Sequence, residues 1–230
     1  MNRCSSTPMD KRAYYLDPSV AGHYDQRRIS SPAGRWTHQR EVEAIRSVFS
    51  SSDHLVELAC GTGRLMQDLV HSGWNVTGLE QSPAMIQAAA PGLQIVRGDV
   101  FQLPFDAARF DGAYCFRFTN HYSNLSVFFK ECSRVLKPGG HLLFDAMRWS
   151  LLLWDSPRWG GANFPVRAAR IRQWLEEADL ELRWHRALFP IGPYWISRLP
   201  LPLAQGMDRV GRVFPEIFHA ISLWYVQKRI

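Results

Sequence analysis

The sequence predicts an α/β fold, a doubly wound and mostly parallel sheet of seven strands with helices on both faces. Three observations carry that expectation. Residues 54–64, HLVELACGTGR, join a short apolar run (Leu55, Val56, Leu58) to small residues and then to a helical pattern opened by Arg64, Leu65 and Met66. From there short apolar runs alternate with helical patterns to the C-terminus. Glu80 closes the second apolar run, at the carboxyl edge where open α/β sheets bind their ligands.

Each element has a local cause. Val42, Ile45, Val48 and Phe49 recur at helical spacing and predict a first helix over 40–49. After the first strand, residues 65–71 give a helix stopped by Gly73. Residues 75–79 form strand two, ended by Glu80, and Ser82 with Pro83 supplies an N-cap and a first-turn proline. A helix over 84–90 ends at Pro91 and Gly92, and 94–97 is strand three. Strand four covers 110–116, so Arg117, Phe118, Thr119, Asn120 and His121 border the ligand edge. Phe128, Phe129, Cys132, Val135 and Leu136 mark an amphipathic helix that Lys137, Pro138, Gly139 and Gly140 break. Strand five is 141–145, followed by a Trp-rich stretch over 147–164 and a helix over 166–178. Strand six is 181–189 and the last strand 221–227, with an apolar insertion between them too long for a plain hairpin.

A chain of 230 residues with 46% hydrophobic and 21% charged residues fits one soluble domain. No apolar run approaches the roughly 18 residues of a membrane span, and the first residues lack a signal peptide's apolar core, so a cytoplasmic location is expected. Cys4, Cys60, Cys115 and Cys132 show no metal-ligand spacing and read as reduced thiols, with no metal expected. The formal charge is +6, but the arginines are spread along the chain and form no block, which speaks for a basic surface over a nucleic-acid face.

The Gly61–Thr–Gly63 turn alone is ambiguous, since it also begins the dinucleotide fingerprint; the third glycine of that fingerprint is replaced by Met66. The ordered series VELACGTG, GLEQSP, GDVFQLPF, FDGAYCFRF and RVLKPGGHLLFD resembles the successive motifs of class I S-adenosylmethionine-dependent methyltransferases, over about residues 38–185. That resemblance implies a Rossmann-like seven-stranded sheet with an antiparallel last strand, and S-adenosylmethionine as cofactor. It implies a single domain over 1–230: an N-terminal arm (1–36), a cofactor-binding core (37–146) and substrate-side insertions or a lid (147–164 and 190–220). Ala59 stands where the family usually has glycine, and a slightly tighter loop with cofactor binding retained is expected. Glu57, Ala59, Cys60, Gly61 and Gly63 are implied at the methionine end of the cofactor, Glu80 at the ribose with Gln81 and Met85 beside it, and Asp99 with Val100 at the adenine. Tyr24 in YDQRR resembles an arm residue that closes over the cofactor, and Arg117 would complete the set.

Methyl transfer from a sulfonium needs alignment, exclusion of water and, for a protonated acceptor, a base. His121 and Asp145 are the candidate bases. Tyr14, Phe118, His121, Trp149 and Tyr194 are the candidate acceptor contacts. Cys60 and Cys115 read as small buried hydrophobes. Cys115 follows Tyr114, without the Pro-Cys pair of cytosine-carbon methylases. The [DNS]-Pro-Pro-aromatic stretch of DNA amino methylases is also missing. The expected activity is methylation of an oxygen, nitrogen or carbon nucleophile on a small, largely apolar or aromatic acceptor. A non-catalytic binding module of the same fold is the alternative, with an RNA methyltransferase behind it. The aromatic and arginine residues of 190–202 also suit peripheral membrane contact, and the oligomeric state is not legible.

Overall fold

The computed structural model describes residues 11–148, 163–211 and 219–230. The N-terminal arm is helical: α1 (Lys11–Leu16), α2 (Pro18–Ala21) and α3 (Tyr24–Ile29) lead into α4 (Pro32–Arg46). The sequence reads DPS and SSPAG as turns, and both turn out to be helix starts. Asp17 accepts from the backbone N–H of Ser19 at 2.8 Å and Ser31 from that of Gly34 at 2.9 Å, each followed by proline in the first turn. The first long helix therefore begins eight residues before the expected Arg40.

The rest follows in order: β1 (His54–Leu58), α5 (Arg64–Val70), β2 (Asn75–Glu80), α6 (Pro83–Gln87), β3 (Ile95–Arg97), β4 (Phe110–Cys115), α7 (Ser126–Val135) and β5 (Leu136–Met147). Then come α8 (Ala168–Glu177), β6 (Leu180–Phe189), α9 (Pro193–Ile196), α10 (Leu201–Gly211) and β7 (Ile221–Lys228). The expected break at residues 137–140 is a bulge inside β5: the pairing jumps from Phe110 with Leu136 to Gly112 with His141, and Gly139 takes a left-handed φ of 76°. The insertion of 190–220 contributes α9 and α10 among its described residues.

All seven strands form one sheet in the order β3-β2-β1-β4-β5-β7-β6. Pairings are parallel up to β5, and β7 runs antiparallel to both β5 and β6. Alternate strand residues feed two cores. Val56, Leu58, Ala113, Cys115, Leu142 and Phe144 pack with α7 and α8 on one face. Leu55, Val76, Tyr114, Leu143 and Leu223 pack with α4 and α5 on the other. Strand order reverses between β1 and β4, and the crevice this opens at their carboxyl ends is where such sheets hold ligands.

Candidate active site

The bend after β1 is built on left-handed backbone: φ is 54° at Ala59, 61° at Gly61 and 72° at Gly63. Glycine adopts this region without cost, whereas Ala59 there costs on the order of 1 kcal/mol, which neighbouring contacts offset. The Glu80 carboxylate at the tip of β2 ties the bend down. It accepts from the backbone N–H of Gly61 (2.9 Å), Gln81 (2.9 Å) and Ser82 (2.8 Å). Burial raises its pKa, and those three donors oppose the rise. Of about four acceptor positions on a carboxylate, one stays open toward the crevice.

Two cavities meet there. One, open to solvent on one side, spans about 770 Å³ and is lined by Tyr24, Ala59, Gly61, Glu80, Gln81, Met85 and Val100, with Phe116, Phe118 and Tyr122 toward β4. The other, also open to solvent, spans about 630 Å³ and is lined by Arg28, Asn120, Asp145, Met147, Asn163, Tyr194, Trp195 and Ile221. Tyr15, Arg117 and His121 border both. The Tyr15 ring stacks on His121, with centroids 5.4 Å apart and planes at 23°. The Tyr15 carbonyl accepts from the Ser82 hydroxyl at 2.6 Å, which locks the arm to the start of α6.

Beneath the second cavity lies a buried ionic network that sequence reasoning did not find. Glu41 of α4 is fully buried and accepts from Arg117 Nε at 2.8 Å and Nη2 at 2.6 Å, and from Arg64 Nη2 at 3.0 Å. Arg64 also bonds His38, whose other ring nitrogen lies 2.7 Å from Asp68. Burial lowers the Arg64 pKa to about 9, and the nearby Arg117 charge adds to the fall. Arg117 itself holds φ at 60°, a strained value for a residue with a side chain, and its backbone N–H donates to Asp145 Oδ1 at 2.7 Å. Asp145 is buried, and its carboxyl is pushed up to about 7 chiefly by desolvation, against the pull of that hydrogen bond.

The expected site residues thus divide. Tyr24, Ala59, Gly61, Glu80, Gln81, Met85 and Val100 line the first cavity, with Arg117 and His121 shared and Asp145 and Tyr194 on the second. Glu57 is turned away: its Oε2 accepts from the backbone N–H of Met66 at 2.9 Å and the Tyr114 hydroxyl at 3.1 Å. It braces the start of α5, and burial pushes its pKa to about 8. Cys60 and Gly63 also miss the wall. The Cys60 thiol packs under β2, 2.9 Å from where a Cβ on Gly78 would stand, and Gly63 is pressed against Leu93. Asp99 sits in a tight turn, accepting from the Phe101 N–H at 3.0 Å, and only its neighbour Val100 reaches the cavity. Phe118 lines the first cavity. Tyr15 replaces Tyr14 at the wall, while Tyr14 packs edge-on against Tyr15. Trp149 lies outside the described residues. Among the described residues no His, Cys, Asp or Glu group could hold a metal, and no helix is long and apolar enough to cross a membrane.

A crevice at the switch point, a glycine bend tied to the carboxylate of β2, and a reversed seventh strand are the marks of the class I methyltransferase fold. Comparison with known proteins agrees. Residues 56–144 match the family described as a methyltransferase domain. The chain is 29% identical over 157 residues to a 24-methylenesterol C-methyltransferase of Oryza sativa subsp. japonica, covering 64% of this chain and 41% of that protein. It is 28% identical over 151 residues to a demethylmenaquinone methyltransferase of Symbiobacterium thermophilum, covering 60% of each. Among solved structures, geranyl diphosphate C-methyltransferase of Streptomyces coelicolor, bound to Mg2+, geranyl diphosphate and S-adenosyl-L-homocysteine, superposes with a TM-score of 0.62 at 19% identity, over 83% of this chain and 78% of that one. Residues 56–144 thus match a methyltransferase domain, and the chain has the fold of the class I S-adenosylmethionine-dependent methyltransferases. It spans under two thirds of the length of these curated relatives.

Proposed function

We propose that the protein transfers a methyl group from S-adenosylmethionine to a small acceptor with an apolar or aromatic body. The observation that carries this reading is the junction of two cavities, one of them beside the glycine bend and Glu80, across a wall shared by Tyr15, Arg117 and His121. The residues present fit the cofactor. Gly61 presents an open backbone at the bend, Glu80 keeps an acceptor position for a ribose hydroxyl, and Val100 with Met85 gives apolar walls for a base. When bound, the cofactor supplies an activated methyl group on a sulfonium.

The chain's contribution is placement and dryness. Arg117 and His121, set where the two cavities meet, would align the acceptor with the methyl group, and Tyr15 and Tyr24 of the arm form part of the wall around it. Asp145 is the side chain best suited to take a proton from an acceptor that carries one. Its carboxyl faces the acceptor cavity, titrates near neutrality, and is held in place by the Arg117 N–H. The names of relatives acting on sterols and quinones support an apolar acceptor of that size. Titration calorimetry with S-adenosylhomocysteine tests the reading: micromolar binding that Glu80→Ala weakens is expected, and folded protein that ignores the ligand would refute it.

A further inference from the structure

We propose that Tyr15 of the arm, stacked on His121, is a specificity-determining residue that limits the group carried on the cofactor's sulfonium to the size of a methyl. This rests on the methyltransferase reading and deepens it, because it assigns a task to the partition between the two cavities. Tyr15, Arg117 and His121 are the side chains that border both cavities among the described residues. A group leaving the cofactor for the acceptor has to pass from one cavity to the other, so these three set the width of the passage.

Each of the three is held by other parts of the chain. The Tyr15 ring lies on the His121 imidazole with centroids 5.4 Å apart and planes at 23°, too close for an alkyl group to lie between them. Tyr14 and Tyr24 meet the Tyr15 ring edge-on at 5.2 Å and 6.2 Å, and the Ser82 hydroxyl holds its backbone carbonyl at 2.6 Å. His121 closes the short turn of residues 119–121: its backbone N–H donates to the Phe118 carbonyl at 2.9 Å, and its ring meets the Phe118 ring edge-on at 6.0 Å. Arg117 is tied to Glu41 through Nε and Nη2. A wall fixed from several elements does not yield cheaply, and extra carbons forced against packed side chains weaken binding roughly five- to a hundredfold.

Calorimetry on the whole chain, with no acceptor present, tests this. S-adenosylhomocysteine is titrated first; folded protein that ignores it ends the methyltransferase reading and this inference with it. S-adenosylmethionine is then compared with its analogue bearing a benzyl group in place of the methyl, and the readout is the ratio of the two dissociation constants within each variant. The unaltered chain is expected to favour the methyl sulfonium by about tenfold or more. Tyr15→Ala should bring the two affinities within about threefold of each other, and Tyr15→Phe should keep the parent ratio, because the ring makes the stack. His121→Ala removes the other half of the stack and carries the same expectation should Tyr15→Ala fail to fold. A ratio near one in an unaltered chain that binds S-adenosylhomocysteine overturns the inference and leaves the methyltransferase reading standing. A folded Tyr15→Ala variant that keeps the parent ratio overturns it too. So does loss of both sulfoniums in Tyr15→Ala and His121→Ala alike, since the stack would then hold the cofactor without limiting its size.

Discussion

Replacing Glu41 with glutamine is the sharpest perturbation of this site. The carboxylate is fully buried and takes three hydrogen bonds from two guanidiniums at 2.6 to 3.0 Å. Burial alone pushes its pKa up, and Arg117 and Arg28 pull it back down. Glutamine keeps the shape but removes the charge, and its amide turns an N–H donor toward groups that only donate. Arg64 and Arg117 would then be buried cations without their shared anion. Removing one member of such a cluster costs about 3 to 5 kcal/mol. For a chain of this size that is a fall in Tm of roughly 6 to 20 °C. Thermal unfolding followed by circular dichroism at neutral pH reads it directly, with urea unfolding as the check on ΔG. The control is a triple replacement, Glu41→Met with Arg64→Met and Arg117→Met, which should recover most of the loss because apolar packing removes the desolvation cost as well as the pair. A Glu41→Gln variant melting within about 2 °C of the parent would refute the reasoning, since it would mean less than about 1 kcal/mol was at stake.

Further outcomes are expected at three positions. Asp145→Asn should lower kcat by about a hundredfold or more with a proton-bearing acceptor, and abolish an activity limb that rises through about pH 7. The same group sets a stability slope: its carboxyl goes from 3.8 to about 7 on folding, so the folded state binds the extra proton, and stability falls as pH rises between those values, by at most about 4 kcal/mol. Urea midpoints measured across that range should show the fall in the parent and a flatter line in Asp145→Asn. Glu57→Gln should stabilise the fold at pH 7 by up to about 3 kcal/mol, because the carboxyl goes from 4.5 to about 8 on folding and glutamine is spared that proton uptake; Glu57→Ala should fall about 2 to 3 kcal/mol below Glu57→Gln by stranding the Met66 N–H and Tyr114 hydroxyl. Gly34→Ala should destabilise by about 1 to 3 kcal/mol in the same urea assay, because its Cβ would stand 2.3 Å from the Arg28 carbonyl oxygen and push α3 off α4.

The sheet was legible in the sequence because each strand is a short apolar run bounded by its own turn chemistry. Ser82 with Pro83 and Gly73 punctuate locally, and local signals survive without coordinates. Helix starts were misread where a single signal serves two purposes. Asp17–Pro18 and Ser31–Pro32 look like turns, yet an N-cap followed by proline has the same spelling, and here the helix reading wins at both. Tyr14 and Tyr15 are adjacent on α1, so helical twist sends their side chains about 100° apart, and composition cannot say which meets the cavity. The side-chain direction of Glu57 was hidden for a related reason. A strand alternates faces, and its carboxylate falls on the α5 side with Tyr114, away from the crevice. The ionic network was beyond reach altogether: Glu41 is 23 residues from Arg64 and 76 from Arg117, and no spacing rule joins them.

The arm shows how these separate pieces become one site. The Ser82 hydroxyl caps α6 by accepting from the Met85 N–H at 3.2 Å and donates to the Tyr15 carbonyl at 2.6 Å, so one side chain both starts a cofactor-side helix and anchors the arm. The Thr62 hydroxyl of the bend donates to Asp25 at 2.9 Å, and the Ser31 hydroxyl donates to the Ser197 carbonyl beyond α9. Three hydroxyls thus stitch the arm to the glycine bend, to the ribose-side helix and to the insertion. Arg28, on α3 between the Asp25 and Ser31 anchors, lines the second cavity. Ser31→Ala, which leaves every cavity-lining side chain intact, should therefore still weaken S-adenosylhomocysteine binding by calorimetry, because the arm that carries Tyr15 and Tyr24 loses one of its three anchors.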